Sequence, residues 1–163
     1  MADGSYPLTS ENYAMAFIPG AMHPSEIESP LDMAAALRWH STKLLDKSAQ
    51  FAELFLQFTN DSLGVPPVSD QNRLFYLDKY TKKGTKTGIY HRNLAILRHS
   101  PYPIVLIEPL LQNNQKEFES LILQKAGQAP FDHSPRLWEL AQTCFWTIEA
   151  YKNQTFPKHE SGP

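Results

Sequence analysis

Residues 30–63, PLDMAAALRWHSTKLLDKSAQFAELFLQFTNDSL, decide how the chain is read. Ser29 stands before them as a cap for the free amides of a first helical turn. Pro30 follows where its missing N–H costs nothing, and Asp32 places a negative charge at the positive end of the helix dipole. Gly64 suits the left-handed residue after a helix, and Pro66 and Pro67 cannot continue one. Between these signals Met33, Leu37, Leu44, Phe51, Phe55 and Phe58 recur at spacings that predict a single apolar face, with Asp46, Gln50, Glu53 and Gln57 opposite. A continuous helix of this length would measure about 50 Å at ~1.5 Å per residue. A chain of 163 residues covers such a rod only if it bends, breaks or meets a partner.

Outward from that stretch, residues 1–28 are expected to form an extended N-terminal arm. They are rich in proline and dotted with Tyr6, Tyr13, Met15, Phe17 and Ile18, but hold no sustained period. Residues 29–154 are expected to be one globular domain and 155–163 a C-terminal tail. Within the domain, residues 73–80 read as a strand, 81–88 as a solvated turn, and 89–98 as a strand despite the helix-forming Asn93-Leu94-Ala95-Ile96-Leu97. Pro103 and Pro109 bracket Ile104-Val105-Leu106-Ile107, the clearest strand signal in the chain. Asn114 and Glu117 have capping-box spacing ahead of a short helix that Gly127 ends. Ser134-Pro135 opens a last long helix with Leu137, Leu140, Ala141, Cys144, Ile148 and Tyr151 as its buried stripe. The expected class is α+β: two long amphipathic helices, one shorter helix and a small antiparallel sheet of about three strands.

Composition narrows the function classes. Hydrophobic content of 42% and charged content of 20% suit a globular domain, although 13 prolines exceed the usual share. One cysteine excludes an internal disulfide, the start Met1-Ala2-Asp3-Gly4 lacks the features of a secretory signal, and no apolar run would span a bilayer. A soluble cytoplasmic protein is expected. No phosphate loop, dinucleotide fingerprint, nucleophile elbow or paired-histidine metal motif is present, so no catalytic residue, cofactor, metal or small-molecule ligand is assigned. His40 falls on the expected buried face as a core histidine, Cys144 reads as a small core residue, and Glu108, directly after the clearest strand, is one carboxylate and not an acid–base pair.

Two features point to binding. Charge is uneven: residues 73–99 carry seven basic side chains against Asp78 alone, a net +6 that leaves −8 for the remainder. In that segment Lys79, Lys82, Lys83, Lys86 and Arg92 interleave with Tyr80 and Tyr90, a mixture suited to a polyanion or an acidic protein. The second feature is tryptophan. The wheel projects Trp39 near Lys43 on the polar side of the first helix and Trp146 opposite Leu137 and Ile148 in the last, where uncovered rings suit a protein interface. The expected function is a non-catalytic protein–protein interaction module, a regulatory or adaptor subunit that is oligomeric. The alternatives are a nucleic-acid-binding protein using the basic segment, and an enzyme whose site is dispersed in sequence.

Overall fold

One of the two central strands of the sheet comes from the segment expected to be an arm. In a computed structural model describing residues 7–22, 24–27, 29–72, 74–122 and 134–155, β1 (Met15–Ile18) is buried along its whole length. It pairs in parallel with β3 (Ile89–Arg92) and antiparallel with β4 (Leu106–Glu108). Beyond β3 lies β2 (Thr81–Lys83), so the order is β2-β3-β1-β4 and the sheet is mixed and four-stranded, not antiparallel and three-stranded. A strand in this position has apolar side chains on both faces. It therefore shows none of the polar alternation by which a half-exposed strand is recognised.

Each face of β1 has its own core. Ala14, Ala16 and Ile18 join Ala52, Phe55 and Leu56 of α2 (Leu44–Leu63), with Leu140 and Cys144 of α6 (Pro135–Thr155) packed against them. The two small alanines let α2 approach the sheet closely. On the reverse, Tyr13, Met15, Phe17 and Tyr90 join Leu77 of α3 (Phe75–Tyr80) and Leu97 of α4 (Ala95–His99). The class is α+β, with helices on both faces of the sheet.

The rod expected over 30–63 is broken. α1 (Pro30–Ser41) starts as the sequence predicts, with the Asp32 amide donating to Ser29 Oγ at 3.1 Å. It ends at Thr42, whose amide and hydroxyl both donate to Arg38 O, and whose oxygen accepts from the Leu44 amide at 3.4 Å. A threonine able to satisfy backbone groups on both sides makes a helix end inexpensive here. After the break the wheel loses phase. Ala35 and Trp39 form the buried side of α1, while Met33, Leu37 and His40 are exposed, which corrects the core placement of all three. α2 stops as expected at Gly64, in the left-handed conformation with φ +67.

Residues 75–80 are helical, not a strand, and the expected turn supplies β2. Residues 89–98 divide into strand and helix, so both conflicting signals were real. Gly88 closes the hairpin at φ +80, and a Cβ there would lie 2.8 Å from Pro67 Cβ. The short helix α5 (Gln115–Ile122) begins as expected, its Glu117 amide donating to Asn114 Oδ1 at 3.0 Å. Arg73, Gly127 and the tail from residue 156 lie outside the described residues.

α6 runs antiparallel to α2. Gln154 accepts from Gln50 at 3.2 Å, Tyr151 meets Phe51 edge-on at 5.4 Å, and Arg136 at the other end donates to Leu63 O at 3.1 Å.

Candidate interaction site

The side of α6 pressed against α2 is not the one the apolar pattern selects. Thr143 and Thr147 are fully buried there, with Leu140, Cys144 and Tyr151 partly buried alongside. Thr143 donates its hydroxyl to Glu139 O at 2.9 Å and Thr147 donates to Thr143 O at 2.8 Å. With its one polar group returned to its own helix, each threonine packs as an apolar side chain. Counting them as polar rotates the inferred face by roughly 60° at ~100° per residue. Leu137, Ala141 and Ile148 consequently point away from the core, which corrects their place in the buried stripe.

The outer side of α6 therefore carries Leu137, Trp138, Ala141, Phe145 and Ile148, with Trp146 on its flank. The five large side chains keep between 41% and 61% of their surface in solvent. Single exposed apolar residues are ordinary, but a run along one helix, two tryptophans and a phenylalanine included, is the kind of patch that marks an interaction surface. Trp146 keeps 41% of its surface in solvent. Trp138 and Phe145 were not singled out in sequence; they sit at the border of the expected apolar stripe, and taking Thr143 and Thr147 as core turns them fully outward. The expected partner residue Trp39 is fully buried, and its indole N–H donates to Arg98 O at 3.0 Å. It belongs to the joint between α1 and α4, where Asp32 pairs with Arg98 at 3.0 Å and Arg38 donates to Ser100 O at 3.0 Å. The hydrogen bond from Ser29, aided by Arg98, holds the Asp32 carboxyl below its usual range. Lys43 is exposed at the junction of α1 and α2, remote in sequence from the α6 surface.

The basic segment does not form one uniform surface. Tyr90 is buried against Phe17, and Arg92 lies over the Phe17 ring at 5.4 Å, so these two belong to the sheet. Lys83 pairs with Asp70 at 2.5 Å and Lys86 with Glu53 at 2.9 Å, both in solvent, where such pairs contribute little. Lys79, its ammonium 4.9 Å from the Tyr80 ring centroid, remains exposed with Tyr80 and Lys82 where α3 meets β2. Beside the hairpin an open groove of about 530 Å³ is lined by Ser69, Asp70, Lys83, Lys86 and Thr87 among others. A second hollow of about 310 Å³ adjoins it, sharing Ser69, Asp70, Lys83 and Tyr90. Lys83 and Lys86 line the same space as Asp70, so the groove presents charges of both signs.

The titrating groups beneath the sheet suit packing more than proton transfer. Burial, helped by the Glu11 and Glu108 carboxylates, pushes the Tyr13 phenol up to about 12. Burial and then Glu108 also push up Tyr76, whose hydroxyl donates to Met15 Sδ at 3.3 Å. Both phenols stay neutral at physiological pH. Because Tyr13 holds its proton more tightly in the fold than when unfolded, its contribution is complete below pH ~10 and declines as pH rises towards 12. The melting temperature is expected to fall across that window, with Tyr13→Phe flattening the fall. Thermal unfolding at pH 9, 10, 11 and 12 measures this. Glu108 lines neither hollow. Burial raises the Cys144 thiol, which keeps it protonated and poorly nucleophilic.

Among the described residues no three His, Cys, Asp or Glu side chains converge as a metal site, and no helix is long and apolar enough to cross a membrane. Comparison with protein-family models, with curated proteins and with solved structures finds no match to this chain.

Proposed function

We propose that the protein is a non-catalytic interaction module, a regulatory or adaptor protein of the cytoplasm that docks a protein partner on the outer face of α6. The observation that carries this reading is the row Leu137, Trp138, Phe145 and Ile148 in solvent on a helix whose opposite side already packs against the core. Aromatic rings account for much of the energy at protein interfaces, because each removes a large apolar area from water at little entropic cost. The neutral tyrosines on one face of the sheet and the protonated thiol on the other add nothing that would favour an enzyme. Matched affinity captures from a lysate of the source organism, using the full chain and its Trp138→Ser/Phe145→Ser form, test the proposal. Proteins retained by the first and lost from the second are expected. Identical sets from both baits would remove the α6 face from the function.

A second reading, polynucleotide binding, is favoured by the exposed Tyr80 ring between Lys79 and Lys82. It requires an affinity that falls steeply with salt. Failure to retain single-stranded RNA or DNA at 50 mM salt would eliminate it.

A further inference from the structure

We infer that the partner seated on the α6 face is a second copy of this chain, its α6 lying antiparallel to the first about a two-fold axis near Gln142. The inference rests on the docking role assigned to that face and names its occupant. Three features of the face suit it to itself.

The first is its arrangement along the helix. Trp138 and Trp146 lie four residues to either side of Gln142. In an antiparallel pair related by a two-fold axis, like flanks meet, so an axis at Gln142 sets Trp138 of one copy beside Trp146 of the other, twice over. The same axis brings Phe145 within about 3 Å, along the helix at ~1.5 Å per residue, of the level of Ala141 in the other copy. A large ring thus faces a small side chain, the bulk-against-gap fit by which helices interlock.

The second is charge. α6 contains Arg136 and Lys152 against Glu139 and Glu149, so two copies meet as neutral rods. Arg136 is held by Glu117 and Glu139, which keeps its guanidinium from the outer face.

The third is area. From their exposed fractions, the five large side chains offer roughly 550 Å² per copy, about 1,100 Å² across the pair, close to the ~1,000 Å² that marks a specific interface. The dimer is therefore weak and concentration-dependent.

Sedimentation velocity of the full chain from 1 to 200 µM, with the same series for Trp138→Ser/Phe145→Ser, tests the pairing. A monomer–dimer equilibrium in the wild type, weakened at least tenfold in the variant, is expected. In a Cys144→Ser background, Gln142→Cys should form an intermolecular disulfide at least tenfold faster than Lys116→Cys on α5. A wild-type monomer throughout, a dimer indifferent to the variant, or equal crosslinking at the two positions would overturn the pairing. The docking role itself is judged separately. A monomer whose captured proteins still depend on Trp138 and Phe145 refutes only the self-pairing, and a monomer with no such dependence refutes both.

Discussion

Replacing Glu117 with alanine is expected to cost about 3–5 kcal/mol, because it leaves a largely buried guanidinium without its main counter-charge. Glu117 is 5% exposed and stands where four parts of the chain meet. Its carboxylate accepts from Arg136 through both Nε and Nη2 and from Asn12 Nδ2 at 2.8 Å, while Arg136 also donates to Leu63 O at 3.1 Å. The N-terminal segment, α5, α6 and the end of α2 thus close on one ion pair. The neighbouring Asn114 carboxamide adds donations to Ser10 O and Glu11 O, so this corner fixes the approach of the chain to β1. Arg136→Met alone should also destabilise, by burying an unpaired carboxylate. The double variant Glu117→Ala/Arg136→Met should be less damaged than the sum of the two, since it leaves neither charge behind. Urea unfolding of the four forms gives the coupling directly, and strict additivity would show that the pair does not act as a unit.

Trp39→Ala is expected to cost a comparable ~3–5 kcal/mol, the range for deleting a large aromatic side chain from a packed interior. No part of this indole is exposed, and it fills the joint of α1 and α4 while donating to Arg98 O. Trp39→Phe keeps most of the apolar volume and gives up the hydrogen bond, so about 1–2 kcal/mol should be lost. Arg98 O keeps a long contact from Arg38 at 3.5 Å, which limits the penalty. Urea midpoints for both variants, read by circular dichroism, separate packing from hydrogen bonding. A loss under about 1 kcal/mol for the alanine form would mean that the joint is loose and that Trp39 is available to a partner after all.

The starts of α1, α5 and α6 and the end of α2 were legible in sequence, and some of the helix faces were not. Ser29-Pro30, Gly64, Asn114 with Glu117, and Ser134-Pro135 each mark a boundary through a local geometric demand, and local demands survive in the folded chain. Faces depend on what polar side chains do with their hydrogen-bonding groups. Thr59, Thr143 and Thr147 return their hydroxyls to the preceding turn, and Ser48 accepts from the Ile104 amide at 3.0 Å, so all four are buried where hydropathy marks them for solvent. That misreading hid the outer face of α6, and the break at Thr42 concealed the true position of Trp39.

The sheet was legible in part for a related reason. The second strand of the hairpin and the apolar run before Pro109 were found, although the first hairpin strand lies at Thr81–Lys83 inside the expected turn and β4 begins at Leu106, two residues later than its signal. β1 was missed because full burial leaves a strand with no alternation to detect. Residues 75–80 carry aromatic side chains that favour strands, but they form a short helix whose Leu77 reaches the core under β1.

Whether the outer face of α6 is spare surface or hidden core is tested most directly by the unfolding free energy of Trp138→Ser/Phe145→Ser. The measurement belongs at a concentration low enough to exclude association. Substitutions at exposed positions usually change stability by no more than about 0.5 kcal/mol each. The account predicts a urea midpoint close to wild type, with binding lost and the fold intact. A cooperative loss of several kcal/mol, as for deleting buried aromatic rings, would show that the chain needs these residues for its own interior and would contradict the docking surface.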